Sequence, residues 1–186
     1  LADAGFPTPP TRFVQSRKEA MDAIEELGGE FNVKPIFGGE GRGVMRESDS
    51  EHAWYRYSVL DQLDAVLQVQ AYIPPGGQDT RLLVLGDRVL GIRRSNSTTF
   101  RTNVSAGASC QSFEVSSQLV ETALRVTSLF GLTIAAVDMI DNSNGPVLFL
   151  DVNAIPGWKG AQGVTNVNIA ELVIDALVNS LTESAT

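Results

Sequence analysis

A lysine followed by a glycine-rich segment is the first feature of this sequence whose residue types could do chemistry. The segment covers residues 34–44 and begins with Lys34. Its glycines are Gly38, Gly39, Gly41 and Gly43. Glycine lets backbone N–H groups approach phosphate oxygens because no Cβ stands in the way, so we assign these glycines, Lys34 and Arg42 to phosphate binding. The segment lacks the Gly-Lys-Ser/Thr ending of a P-loop, and an ordinary glycine-rich hairpin turn is the alternative.

Two carboxylates and an amide form a second candidate site. Asp138 lies on one predicted strand, and Asp151 and Asn153 lie two residues apart on the next, so both of these side chains leave the same face. Pairing of the two strands can bring the three side chains together. Carboxylate and amide oxygens suit Mg²⁺, which keeps several waters and shares ligands with ATP phosphates. Solvated acidic residues at a strand end are the alternative, although Asp151 directly follows the apolar run at 147–150, where a carboxylate needs a partner.

An extended segment at 67–73 could receive a purine base. Its backbone offers N–H and C=O groups to the base edge, and its apolar side chains offer contact to the base faces. The residues assigned to this hinge are Gln70, Ala71, Tyr72 and Ile73. Asp79, a few residues further on, can accept hydrogen bonds from ribose hydroxyls. A core strand followed by a surface aspartate is the alternative.

Arginine is concentrated between residues 81 and 101, although the chain has a net charge of −8. Guanidinium groups bind phosphate and carboxylate well, so the polar and cationic residues of this segment are candidates to bind anionic groups: Arg81, Arg93, Arg94, Arg101 and Asn103. Solvated charges on a hairpin are the alternative for each of them.

Charge and composition also exclude several classes of partner. The negative net charge argues against a general nucleic-acid surface, which needs clustered Lys and Arg. No apolar stretch approaches the roughly 20 residues that span a bilayer, so we expect no membrane partner. The single cysteine, Cys110, cannot form an internal disulfide, which favours a cytoplasmic location.

The apolar periodicity predicts the elements that must position these residues. We predict helices at 16–28, 49–63, 118–129 and 168–181, and strands at 12–14, 31–36, 65–73, 80–85, 88–93, 134–140 and 147–152. The last four strands form two hairpins, the second around residues 142–145. Strand hairpins with few helices indicate an α+β protein of two lobes, 1–73 and 74–186, rather than regular βαβ alternation.

Taken in order, the motifs of the chain resemble those of the ATP-grasp superfamily, and within it the RimK-like α-L-glutamate ligases. They read Lys-Pro-x-x-Gly-x-x-Gly-x-Gly-Val, Gln-x-Tyr-Ile, Asp-x-Arg, Phe-Arg-Thr-Asn, Val-Asp and Asp-Val-Asn-x-x-Pro-Gly, over residues 4–177. Three departures stand out. Asp151 replaces the usual Glu, Ala71 replaces a frequent Glu, and we expect the chain to lack the N-terminal domain that family members carry.

The resemblance implies an ATP-grasp fold, with ATP between the two lobes. The 1–73 lobe would carry the phosphate-covering loop, and the 74–186 lobe the metal site. Two Mg²⁺ ions, with Mn²⁺ as a substitute, would be held by Asp138, Asp151 and Asn153. Arg81, Arg94 and Arg101 would stabilise charge that develops during phosphoryl transfer.

The resemblance also implies an activity. ATP would activate a carboxylate, on a protein tail or a coenzyme intermediate, as an acylphosphate, and the amine of an amino acid, first of all glutamate, would displace the phosphate. An ATP-grasp ligase for a different amine and a nucleotide-binding module without turnover are the alternatives. The oligomeric state stays open, and a homo-oligomer is one of the options.

Overall fold

The computed structural model describes residues 1–37, 41–143 and 145–183. Two antiparallel sheets and five α-helices lie within these residues, which confirms the predicted α+β class. Gly38, Gly39 and Glu40 of the predicted phosphate loop lie outside the described residues, as does Asn144 in the second predicted hairpin turn.

The chain divides into two compact units. The small unit is Thr8–Pro74, and the large unit combines Leu1–Pro7 with Pro75–Thr186. The assignment of the first seven residues differs from the predicted lobe at 1–73. Packing explains the difference, because Phe6 is buried edge-on against Phe149 with ring centroids 5.2 Å apart, and the Phe149 N–H donates to the carbonyl of Pro7 at 2.8 Å.

A four-stranded sheet covered by two helices makes up the small unit. Its elements are β1 (Thr11–Val14), α1 (Arg17–Leu27), β2 (Phe31–Pro35), β3 (Met45–Glu47), α2 (Ser50–Asp61) and β4 (Leu67–Ala71). The strands are antiparallel in the order β1-β4-β2-β3. Alternate side chains such as Phe31, Val33 and Val69 enter the core with the helices. As predicted, Ser16 caps α1, since its side chain accepts the Glu19 N–H.

A five-stranded sheet with helices on both faces makes up most of the large unit. Its elements are β5 (Gln78–Leu85), β6 (Arg88–Ser95), β7 (Ser109–Phe113), α3 (Ser117–Ser128), β8 (Ile134–Ile140), β9 (Leu148–Asn153), α4 (Lys159–Gln162) and α5 (Ile169–Glu183). The strand order is β7-β6-β5-β8-β9. Both predicted hairpins form, as β5–β6 and β8–β9. The short elements β7 and α4 are not predicted from the sequence.

The two faces of the large sheet pack against different helices. On one face, Leu82, Val84 and Val137 join Val126 of α3 in a buried cluster. On the other face, a second cluster contains residues of β5, β6 and β8 with Ala161 of α4 and Ile169 of α5. None of the described helices is both long and apolar enough to cross a lipid bilayer.

Candidate active site

The strand register of the large unit gathers the predicted charged residues on one face of the sheet. Arg94 lies opposite Asp79, Arg81 lies opposite Asp138, and Asp138 lies opposite Asp151. Residues opposite one another in a sheet, or two apart on a strand, project to the same face. The charged side chains of four strands therefore share the face that is covered further along by α4 and α5.

Two arginines hold the carboxylate of Asp138. Arg81 donates from Nε to Oδ1 and from Nη2 to Oδ2 of Asp138, both at 2.7 Å. Arg94 Nη2 also lies 3.0 Å from Oδ2 of Asp138. Such two-pronged guanidinium–carboxylate contacts are among the stronger polar interactions in proteins.

Arg94 also binds a second carboxylate. Its Nε and Nη2 donate to Oδ1 and Oδ2 of Asp79 at 2.7 and 2.5 Å. The side chains of Arg94 and Asp79 are only 5% and 4% exposed. The two arginines and the two aspartates form a connected network, in the order Arg81, Asp138, Arg94 and Asp79, whose formal charges cancel.

Burial and hydrogen bonding set the ionisation of these groups. Burial alone would raise the pKa of Asp138, but the hydrogen bonds and charges of Arg81 and Arg94 outweigh it and hold that pKa below its ordinary value. Burial raises the pKa of Asp79, while the hydrogen bonds from Arg94 act in the opposite direction. Burial also opposes the charge of Arg94, yet the neighbouring carboxylates raise its pKa. Arg94 therefore stays charged.

Thr102 closes the network at Asp79, and sequence reasoning assigned it no role. Its Oγ1 donates to Oδ2 of Asp79 at 2.5 Å. The only sequence signal was its place in the motif Phe-Arg-Thr-Asn. The neighbouring Arg101 is half-buried, and its guanidinium lies 4.6 Å from the ring centroid of Phe100. Thr102 thus ties the chain segment that carries Arg101 to the charged network.

The predicted metal ligands lie next to one another in the β8–β9 hairpin. Asp151 is directly opposite Asp138, and Asn153 is opposite Ala136, one step along the same face. Asn153 accepts the Ile155 N–H through Oδ1 at 2.9 Å. No described group brings together three or more His, Cys, Asp or Glu side chains in a metal-binding arrangement. A metal held here would need the Asn153 amide, water or substrate oxygens for its other ligand positions, which suits Mg²⁺.

In the small unit, Lys34 is held by Gln70. The Lys34 Nζ donates to the Gln70 Oε1 at 2.8 Å, and the Gln70 Nε2 donates to the Thr11 Oγ1 at 3.0 Å. The side chain of Gln70, which is also a predicted hinge residue, is buried at this contact. This contact orients the ammonium group of Lys34 on the face of the sheet that is opposite to the helices.

The described part of the glycine-rich loop contains a tight turn. Gly41 and Gly43 both have φ of +74°, a conformation that favours glycine. The Val44 N–H donates to the Gly41 carbonyl at 3.3 Å. A Cβ on Gly43 would lie 3.0 Å from the Pro35 ring. Arg42 between the two glycines is exposed.

Two backbone N–H groups of the predicted hinge already donate hydrogen bonds within the small unit. The Ala71 N–H donates to the Pro10 carbonyl, and the Tyr72 N–H donates to the Glu30 carbonyl, both at 2.9 Å. The buried Tyr72 ring lies 3.7 Å from the guanidinium carbon of Arg46. Ile73, the last hinge residue, is half-buried. The hinge is therefore a firmly held end of β4.

Comparison with known proteins identifies the family. A sequence model of the RimK-like ATP-grasp domain matches residues 1–177, so the chain belongs to this family, as its motifs predict. A protein of Rhodopirellula baltica named "Probable alpha-L-glutamate ligase" is 33% identical over 171 residues, which cover 90% of this chain and 42% of the relative. A protein with the same name from Legionella pneumophila (strain Corby) is 32% identical over 179 residues, covering 94% and 59%. The chain thus spans about half the length of these relatives.

Solved structures confirm the predicted ATP-grasp fold. The D-cycloserine synthetase DcsG matches with a TM-score of 0.73 and 18% identity, over 97% of this chain and 67% of that protein. The ATP-grasp ligase PsnB, complexed with a variant of its minimal precursor, Mg and ADP, matches with a TM-score of 0.71 and 23% identity, over 96% and 55%. At these identities the similarity establishes the fold alone.

Proposed function

We propose that this chain is the nucleotide- and magnesium-binding part of an ATP-dependent ligase that joins a carboxylate to the amine of L-glutamate. The observation that carries the proposal is the register of β8 and β9, which sets Asp138 opposite Asp151 with Asn153 next on the same face. The names of the relatives support glutamate as the amine. The carboxylate acceptor would be a protein tail or a coenzyme intermediate.

The donor set fits magnesium. A carboxylate has about four acceptor positions, and Asp138 uses three of them for Arg81 and Arg94. The remaining position suits a contact through a single oxygen. The exposed Asp151 and the second lone pair of the Asn153 amide oxygen complete a set of hard oxygen donors. Two Mg²⁺ ions, or Mn²⁺ in their place, would offset the negative charge of the ATP phosphates.

The other assigned residues would bind and orient the substrates. Lys34 and the N–H groups of the glycine-rich loop would contact the phosphates, and the end of β4 would contact the purine. Arg81 and Arg101 would stabilise the charge on the transferring phosphoryl group. In the first step, a carboxylate oxygen bonds to the γ-phosphorus and ADP leaves. In the second, the glutamate nitrogen bonds to the acyl carbon, loses a proton and releases phosphate.

Calorimetry with the Asp151→Ala variant tests the metal site. We expect ATP to bind the unchanged chain much more tightly with Mg²⁺ than without it, and Asp151→Ala to lose this difference. Asp141→Ala is the matched control, because Asp141 is an exposed aspartate just past β8 that pairs with Arg93 at 3.1 Å. Binding that is indifferent to Mg²⁺, or unchanged by Asp151→Ala, would refute the metal assignment.

Phosphate release distinguishes a ligase from the alternatives. We expect the full-length ligase to which this part belongs to release phosphate only when glutamate and a carboxylate acceptor are both present. Release with neither substrate indicates a simple ATPase. Mg²⁺-dependent binding without release, across a panel of peptide and coenzyme acceptors and several amino acids, indicates a module without turnover.

A further inference from the structure

The carboxylate of Asp79 is bound mainly by groups of the protein. It accepts two hydrogen bonds from Arg94 and one from Thr102, which fill three of its about four acceptor positions. Its side chain is only 4% exposed. One acceptor position remains, but a charged donor that is lost from a buried carboxylate is costly, so Arg94 and Asp79 hold each other firmly.

Arg94 transmits the position of Asp79 to Asp138. Its guanidinium is planar and rigid, so two hydrogen bonds to Asp79 fix its plane. The same Nη2 that contacts Asp79 lies 3.0 Å from Oδ2 of Asp138. Arg81 holds Asp138 from the other side through both carboxylate oxygens. Asp79 and Asp138 are therefore linked through one nitrogen of Arg94.

Asp79 also lowers the net charge of the network of arginines and aspartates. Arg81 and Arg94 bring two positive charges to Asp138, which alone would leave a net charge of +1 and repel a divalent cation. Asp79 makes the network neutral.

We infer that Asp79 is a positioning residue of the metal site, which acts through Arg94 on Asp138. Thr102 supports the same role, because its hydroxyl donates to the carboxylate of Asp79. The inference rests on the proposed function, since it concerns the Mg²⁺ site proposed above. It gives Asp79 and Arg94 a role in the support of a metal ligand.

The test is a Mg²⁺ titration of nucleotide binding to the full chain, followed by calorimetry. Loss of a partner that supports a metal ligand typically weakens metal affinity about 10- to 100-fold. We expect Asp79→Asn to raise the Mg²⁺ concentration at half-saturation by a factor in that range. Asp79→Glu should recover part of the affinity, and Asp141→Asn, which removes an exposed carboxylate, should leave it unchanged. No shift in Asp79→Asn overturns the inference.

A nucleotide analogue separates this role from a ribose contact. The Mg²⁺ titration is repeated with ATP and with 2′-deoxy-ATP, in the unchanged chain and in Asp79→Asn. We expect Asp79→Asn to raise the Mg²⁺ concentration at half-saturation with both nucleotides. A shift that is seen with ATP but not with 2′-deoxy-ATP would show that a ribose contact alone accounts for it and would overturn the inference.

Thr102→Val provides a second route if Asp79→Asn does not fold. This variant keeps every charge and removes one hydrogen bond to Asp79, so a smaller, few-fold weakening of Mg²⁺ affinity is expected. An unchanged Mg²⁺ affinity in Thr102→Val would count against the inference. Failure of the inference can be distinguished from failure of the proposed function. If the chain without substitutions binds ATP equally well with and without Mg²⁺, the proposed function itself is refuted.

Discussion

Replacing Arg94 by methionine should destabilise the large unit strongly. Asp79 would remain buried with Thr102 as its partner, and Asp138 would keep only Arg81. Removing one partner of a buried ion pair costs about 3–5 kcal/mol, because the other charge stays out of water without compensation. Arg94 pairs with two carboxylates, so we expect the free energy of unfolding to fall by about 3–5 kcal/mol.

The double variant Asp79→Leu/Arg94→Met tests whether this loss comes from the uncompensated charge. Replacing a whole buried ion pair by apolar residues is often neutral or stabilising. The Thr102 hydroxyl would lose its partner, at a cost of about 1–3 kcal/mol. The double variant should therefore lie within about 3 kcal/mol of the unchanged chain, and it should be more stable than Arg94→Met alone.

Each unit contains one of the two tryptophans, which allows the large unit to be followed separately. Trp158 packs against the core of the large unit, and Trp54 lies in α2 of the small unit. Urea unfolding in a Trp54→Phe background, measured by the fluorescence of Trp158, therefore reports the large unit. A loss below about 1 kcal/mol in Arg94→Met, or a double variant that is less stable than Arg94→Met, would refute the reasoning.

Three further changes have defined outcomes. Gly91→Ala should destabilise the large unit by about 1–3 kcal/mol, because the new Cβ would lie 2.7 Å from the Phe113 ring; urea unfolding measures this. Ser16→Ala should destabilise the small unit by about 1 kcal/mol, since the Glu19 N–H loses its cap; Trp54 fluorescence in a Trp158→Phe background reports it. Below about pH 4, the free energy of unfolding should increase less with pH in Asp138→Asn than in the original chain; urea unfolding between pH 2.5 and 6 measures this.

The sign of the pH effect follows from proton binding. The pKa of Asp138 is lowered in the folded chain, so between that pKa and the ordinary value of about 3.9 the unfolded chain binds more protons. Stability from this group is therefore present above about pH 4 and lost as the pH falls through the folded pKa. If the free energy of unfolding falls as steeply with decreasing pH in Asp138→Asn as in the original chain, the lowered pKa of Asp138 is contradicted. An unchanged free energy of unfolding in Gly91→Ala or in Ser16→Ala would contradict the prediction for that variant. Ser16→Asp is the control for Ser16→Ala, because an aspartate side chain can still accept the Glu19 N–H.

Local signals were sufficient to predict much of the fold. Apolar periodicity and the Ser16 cap located α1, and short turns located the hairpins β5–β6 and β8–β9. A hairpin fixes its own register, so the approach of Asp138 and Asp151 could be predicted. The strand β7 was missed because its sequence, Ser-Cys-Gln-Ser-Phe, is mostly polar and lacks clear alternation.

The charged network could not be predicted in the same way. The pairing of β5 with β8 places Arg81 opposite Asp138, 57 residues further along the chain, and no local signal sets a register over that separation. Each arginine could have paired with several carboxylates. The bond between Lys34 and Gln70 likewise depends on the pairing of β2 with β4, which are separated by a helix and another strand.

The hydrogen bond between Ala71 and Pro10 has a consequence for protein engineering. It joins the first and last strands of the small unit, whose register runs from Thr11 opposite Gln70, so the entry and exit of this unit lie side by side. Domains whose termini are adjacent tolerate transfer and circular permutation. Residues 8–74 could accordingly be exchanged as a cassette between family members, which would separate the contribution of the phosphate loop from that of the charged network.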